Sequence, residues 1–175
     1  MFRLVLGRLL QKLAILSPGG GSLRPWLHRL RGAKIGRNVW IAQSVYIDAL
    51  HPEALTIGDN CTIGFRSSIF THFYWGSRKA ASNGRVVIEK DVFIGPHCVI
   101  LPNVRIGEGA VIKAGTVVTR NVPPHTFWGP PSAGVLGEAT VALTSEHSYE
   151  QFVQGMRLRR STKKTKLRTL RERPQ

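Results

Sequence analysis

Aliphatic residues return at every sixth position along most of this chain. They stand at 35, 41 and 47, at 57, 63 and 69, at 88, 94 and 100, and at 106, 112 and 118, and all are Ile except Val118. Four places after each, a small or β-branched residue follows in ten of the twelve cases, among them Val39, Cys61, Ser67, Cys98, Ala110 and Thr116. Gly comes directly after the leading Ile at 36, 58, 64, 95 and 107. A period of six fits neither an α-helix nor an array of hairpins. It predicts a short β-segment and a corner, three of which close a triangular coil. The leading aliphatic side chain points into the prism, and the fifth-place residue faces inward near a corner. Gly or Asn at the turn supplies the backbone angles a corner needs. The pattern predicts four stacked coils of parallel strands.

The beat fails twice. The step from 47 to 57 is ten residues, through ALHPEALT, and the step from 69 to 88 is nineteen. Both insertions leave after the third position of a coil, so both protrude from one edge of the prism. Loops at such corners often serve binding, which directs attention to His72 at the start of the longer one. His51 sits in the shorter insertion, one coil away on the same edge. Cys61 and Cys98 take the inward fifth place, where Ser, Ala, Thr and Val stand elsewhere, so packing accounts for them. They form no CxxC pair and no disulfide framework, which places the chain in a reducing cytoplasm. His97 falls at a solvent-facing corner of a regular hexad and reads as structural; His125 is assigned no role.

Charge divides the chain into three. The formal net charge is +15. Residues 1–34 carry seven Lys/Arg and no acid, residues 35–142 nine bases and seven acids, and residues 143–175 nine bases and three acids. A nearly neutral middle with basic ends argues against a nucleic-acid-binding core. The domains that follow are an extension over 1–34, a coil over 35–135 with a corner loop at 73–85, and a C-terminal segment over 136–175. In MFRLVLGRLLQKLAIL, apolar residues at 2, 5, 6, 9, 10, 13 and 16 trace one helical face, with Arg3, Arg8 and Lys12 largely off it. The segment is too short and too charged to span a bilayer. Such a helix either rests on an anionic membrane surface or packs across the coil's end or within an oligomer. SPGGGS reads as a flexible joint after it. SYEQFVQGMRLRR predicts a short helix carrying Tyr149, Phe152, Val153 and Met156 on one side, and the basic tail beyond it suits CoA phosphates, anionic lipid or nucleic acid, which charge alone does not distinguish.

TIGDNCTIG, THFYWGS and the run from GRVVIEKDVFIG through KAGTVVTRNVP to GPPSAGVL resemble the hexapeptide-repeat acetyltransferases, left-handed parallel β-helices. More narrowly they are similar to the sugar and polysaccharide O-acetyltransferases related to maltose and galactoside acetyltransferase. The resemblance covers roughly Lys34 to Val135. It implies an all-β prism with short helical extensions at both ends, acetyl-CoA as co-substrate, no metal, and a homotrimer with the active site between subunits. The family's Thr/Ser-His pair falls on Thr71 and His72, implying His72 as the catalytic base. Ala114, Gly115, Thr119 and Arg120, with Gly95, take the acetyl-CoA-binding positions. The family's GNPAK is GPPSAG here, without the Asn and Lys, and the loop after His72 lacks the frequent second histidine or aspartate.

Acetyl transfer from a thioester to a hydroxyl needs little machinery. A neutral imidazole accepts the hydroxyl proton, and backbone N–H groups at a corner hold the developing oxyanion. With carboxylates scarce nearby, a backbone carbonyl is expected to orient the ring. Thr71, Tyr74 and Trp75 are the candidate acceptor contacts. The aromatic triplet Phe73, Tyr74 and Trp75 presents flat faces to a sugar ring or packs on a neighbouring subunit. Arg78, Lys79 and Arg85 meet an anionic acceptor or stay solvated. The same prism also carries zinc carbonic anhydrases, but no two histidines here have the H-x₄-H-like spacing those use. A non-catalytic scaffold or membrane adaptor, and N-acetylation of an amino sugar, are the alternatives to a sugar or glycan O-acetyltransferase.

Overall fold

The computed structural model describes residues 2–73, 84–131, 137–141 and 148–158. The chain divides into two compact units, 1–130 and 131–175. In the first, two helices, α1 (Phe2–Leu16) and α2 (Leu23–Leu30), precede a three-sided stack of short strands. One side is built from Lys34–Ile35, Leu55–Ile57, Val86–Ile88 and Arg105–Ile106. The second holds Trp40–Ile41, Thr62–Ile63, Phe93–Ile94, Val111–Ile112 and Phe127–Trp128, and the third Tyr46–Ile47, Ser68–Ile69, Val99–Ile100 and Val117–Val118. All pairings on these three sides are parallel, with Ile above Ile: Ile35 on Ile57, Ile63 on Ile94, Ile69 on Ile100. The four expected coils are present, with a partial fifth formed by Phe127–Trp128 and by Val122 beside Ile106.

The leading isoleucines at 41, 47, 57, 63, 69, 88, 94, 100, 106 and 112 are almost wholly buried, and so are the fifth-place Val39, Cys61, Ser67, Cys98 and Ala110. Each buried Ile is worth roughly 1.5–3 kcal/mol relative to exposure. The column inside the prism is therefore the main source of stability. Cys61 donates its thiol to the Glu89 carbonyl at 2.9 Å, and burial pushes both thiols upward. Packing does account for these cysteines.

Of the Gly and Asn expected to supply the turn angles, Asn38, Asn60 and Asn103 do so and the second-place Gly does not. The second-place glycines are not left-handed; the fourth place is. Asn38, Ser44, Asn60, Arg66, Asp91, His97 and Asn103 all have φ between 53° and 62°, and Gly109 and Gly115 take the same place with positive φ. The second-place glycines answer instead to the close stacking of coils. A Cβ on Gly95 would lie 2.6 Å from the Ala114 backbone nitrogen.

In every coil the carbonyl of the leading Ile accepts an N–H from the coil before it, as Ile57 does from Gly36 and Ile63 from Ala42. The first coil has no predecessor. Three arginines of the α2 region take its place, one on each side of the prism. Arg29 Nε donates to the Ile35 carbonyl at 3.0 Å, Arg24 Nη1 to Ile41 at 2.9 Å and Arg31 Nη2 to Ile47 at 3.2 Å. Arg24 and Arg31 are buried. Burial, then the neighbouring Arg31 guanidinium, pushes the pKa of His28 down to about 3, so its neutral ring accepts from Arg31 Nη1 at 2.8 Å. The glycine run 19–21 is a packed turn and no flexible joint. Gly20 is buried, accepts from Ile41 N at 2.9 Å, and sits where a Cβ would strike the Trp40 indole.

In the second unit, α3 (Tyr149–Gln154) starts at a capping box in which Ser148 and Gln151 exchange hydrogen bonds. It ends at Gly155, so Met156 is not on it. Met156–Leu158 instead pairs antiparallel with Gly137–Ala139. The basic tail 159–175 lies outside the described residues.

Candidate active site

Both insertions emerge from the edge that follows the third side, one coil apart, and this brings Asp48, His51, Thr71 and His72 together. Asp48 is the residue after leading Ile47, where Gly or Ala often stands in other hexads. Its N–H continues the ladder to the Ile69 carbonyl at 2.9 Å. Its carboxylate is fully buried under the start of the longer loop. Oδ1 accepts from Leu50 N at 2.9 Å, while Oδ2 accepts from Thr71 N at 2.9 Å and from His72 Nδ1 at 2.5 Å. Burial works to raise the Asp48 carboxyl. The Leu50 and Thr71 N–H groups and the His72 ring outweigh it and hold the group below its ordinary value. An ionised carboxylate at this place keeps the proton on Nδ1 of His72 and the lone pair on Nε2.

A carboxylate, not a backbone carbonyl, therefore orients the His72 ring. The sequence signal was available. Two bumps leaving one edge in consecutive coils place the residue that opens the lower bump beneath the residues that open the upper one. Thr71 is fully buried and its hydroxyl donates to the His51 carbonyl at 2.7 Å. It ties the two bumps together and does not face the site's opening, where an acceptor contact was expected. The His51 ring stands edge-on to His72 with centroids 5.8 Å apart, and its Nδ1 lies 3.2 Å from Glu53 Oε1. The His72 side chain retains 15% exposure, so the ring is largely enclosed and keeps some contact with solvent. Tyr74, Trp75, Arg78 and Lys79 lie outside the described residues; Arg85 is exposed.

A second feature lies at the C-terminal end of the coil. A cleft of about 480 Å³ is lined by Gly115, Thr116, Thr119, Arg120, Trp128 and Gly129, among others. The Arg120 guanidinium lies 5.3 Å from the centroid of the Trp128 ring, a cation–π contact, and Lys113 Nζ reaches the Pro130 carbonyl at 3.2 Å. Three of the expected cofactor residues, Gly115, Thr119 and Arg120, thus share one cleft. Ala114 adjoins it in sequence, and Gly95 lies stacked beneath Ala114, where packing explains the glycine. His97 is exposed at its corner, with its ring edge-on to Phe65 at 5.8 Å.

The repeat and the fold have known counterparts. A family described as bacterial transferase hexapeptide (six repeats) matches residues 85–120, and one described as hexapeptide repeat of succinyl-transferase matches residues 54–71. The "Putative acetyltransferase YvoF" of Bacillus subtilis (strain 168) is 38% identical over 109 residues, 61% of this chain and 62% of its own length. A relative in Staphylococcus aureus (strain Mu50) with the same kind of name is 37% identical over 99 residues, 54% of this chain and 49% of its own length. The chain thus spans between about half and three fifths of these relatives. Among solved structures, the hexapeptide-repeat-containing acetyltransferase VCA0836 of Vibrio cholerae, complexed with acetyl coenzyme A, superposes with a TM-score of 0.57 at 26% identity, covering 72% of this chain and 81% of that one. The repeat, the strand register and these likenesses agree on one assignment: the chain is a left-handed parallel β-helix of hexapeptide repeats, similar to the acetyltransferases built on that repeat.

Proposed function

We propose that the chain is an acetyl-CoA-dependent O-acetyltransferase acting on a hydroxyl of a sugar or glycan precursor, with His72 as general base. The observation that carries the proposal is the buried Asp48 carboxylate 2.5 Å from His72 Nδ1, which presents Nε2 as a base at the rim of a loop. In the reaction the acceptor oxygen bonds to the thioester carbonyl carbon while its proton passes to Nε2. The carbon–sulfur bond then breaks, and the imidazolium returns the proton to the departing thiolate. Because the acyl group arrives activated, no covalent enzyme intermediate is required. The carboxylate stabilises the transient imidazolium, and general-base assistance of this kind is worth roughly 10²–10⁴-fold.

The relative solved with acetyl coenzyme A and the Arg120–Trp128 cleft support placing the co-substrate along Ala114, Gly115, Thr119 and Arg120. An aromatic and a guanidinium suit adenine and phosphate. Assembly as a homotrimer is part of the same proposal. Phe93, Val111 and Phe127 form an outward row on the second side of the prism, with Trp40 beyond Thr62, all four apolar residues exposed in the single chain, an apolar strip that contact with another protomer buries. The acceptor contacts assigned to Tyr74 and Trp75, and a cytoplasmic location, belong to it as well.

The test is mass spectrometry of candidate glycans and lipid-free sugar precursors incubated with acetyl-CoA. The proposal expects a gain of one acetyl group that mild alkali removes from oxygen. An alkali-stable adduct identifies an amide and overturns O-transfer. Arg120→Ala is expected to raise the KM for acetyl-CoA about 5–20-fold with kcat little changed, as loss of one charge-assisted contact predicts. Steady-state kinetics at saturating acceptor measure it, and an unchanged KM moves the cofactor elsewhere.

A further inference from the structure

Helix α1 is mounted with its apolar stripe outward. Gln11 and Ala14 are buried and Gly7 is half-buried, so the small and polar face meets the body of the protein. The opposite face carries Val5, Leu6, Leu9, Leu13 and Leu16, with exposures of 54%, 43%, 53%, 57% and 76%. These recur at helical spacing as one continuous strip, and Arg8 and Lys12, both exposed, lie along its edge. Helix α2 repeats the arrangement with Leu23, Trp26 and Leu30 exposed at spacings of three and four. A helix of a water-facing protein turns its leucines inward; α1 does the reverse, and α2 buries Leu27 but leaves Leu23, Trp26 and Leu30 outside.

We propose that this outward face is an interfacial membrane anchor, its leucines lying in the acyl boundary of an anionic bilayer and its cations at the headgroups. The helix has the marks of one: a wide apolar stripe, basic residues beside it, and no acid in residues 1–34. Long cationic side chains at the rim of such a stripe extend to phosphate while their stems stay in the apolar layer. The exposed Trp26 is the aromatic type that favours the headgroup level.

Charge argues against a second copy of the chain as the occupant. A two-fold contact would set this acid-free, basic surface against itself. A contact with the coil of another copy would need free carboxylates there. The carboxylates of the coil are already engaged: Asp48 with His72, Glu53 with His51, Asp59 with Arg37, Glu89 with Arg105, Asp91 with Asn60 and Glu108 with Lys90. An anionic lipid surface supplies what the coil lacks.

The test is flotation of the full-length protein with vesicles of phosphatidylcholine alone and of phosphatidylcholine mixed equally with phosphatidylglycerol. Leu9→Gln/Leu13→Gln serves as the variant, and its melting curve is expected to match the wild type because both sites face outward. The wild type is expected to float with the mixed vesicles, and the double variant to bind them at least tenfold more weakly. A chain ending at residue 158 separates the basic tail from the helix. It is expected to keep binding at roughly 1 M salt, where surface charge is screened within about 3 Å and insertion of leucines is not. Wild-type-like vesicle binding by the double variant overturns the proposal. So does a fall in the variant's mass by light scattering without any vesicle binding by the wild type, which assigns the face to a protein contact.

Discussion

His72→Ala is expected to lower kcat/KM for acetyl transfer by roughly 10²–10⁴-fold, leaving fold and assembly in place. The expectation rests on geometry. A short bond ties the ring to a buried carboxylate, and 15% of the side chain is in contact with solvent, so truncation removes a base without opening the hydrophobic column. The KM for acetyl-CoA is expected to stay within about twofold, since the Arg120 cleft is lined by residues between Gly115 and Pro130 and the lost interaction acts only during proton transfer. Retention of full turnover by His72→Ala removes the base assignment, and a matched rise in KM with constant kcat recasts the histidine as a binding residue.

Asp48→Asn is expected to act on both turnover and stability. An amide at this position donates as well as accepts, so it no longer enforces a proton on His72 Nδ1. With the ring's lone pair free to sit on the wrong nitrogen, kcat is expected to fall by roughly 10²-fold, since support of a positioned base is lost while the base itself remains. Losing the charged acceptor also weakens the bonds from Leu50 and Thr71 that hold the two bumps to the prism, about 1–3 kcal/mol in all. The sign of the pH dependence follows from the direction of the shift. The folded pKa of Asp48 lies below the unfolded one, so its contribution is complete above the unfolded value of about 3.9. It is lost as pH falls through the folded value. Urea melts of wild type and variant are therefore expected to differ at neutral pH and converge in strong acid. Parallel curves at every pH assign the difference to packing and exclude the charge.

The prism itself was legible because its core is set by one-dimensional stacking. Each Ile at the head of a hexad has its neighbour one coil away in a fixed register, so periodicity in the chain becomes contact in space. His72 and the common edge of the two insertions were legible for the same reason. The same edge pointed to Asp48 as the residue that opens the lower bump, but its bond to His72 spans 24 residues and depends on how a four-residue bump folds back, so the pairing itself was missed. The purpose of the corner residues was also hidden. Sequence suggested Gly or Asn for angle; Asn38, Asn60 and Asn103 do take left-handed angles, but so do Arg66 and His97, and the second-place glycines make room for the next coil. The orientation of α1 was legible as amphipathicity but not as direction. An apolar stripe says that a face exists, and only the buried Gln11 and Ala14 say which way it turns.

A stack of parallel rungs has no intrinsic reason to stop, because the last one always offers the same hydrogen-bonding groups as the one before. The three guanidinium groups on the Ile35, Ile41 and Ile47 carbonyls act as a full stop at the beginning of the spiral. They occupy the sockets through which another molecule's rungs would otherwise join head to tail into a fibre. Part of the chain's positive charge thus serves to close the ladder at its first rung.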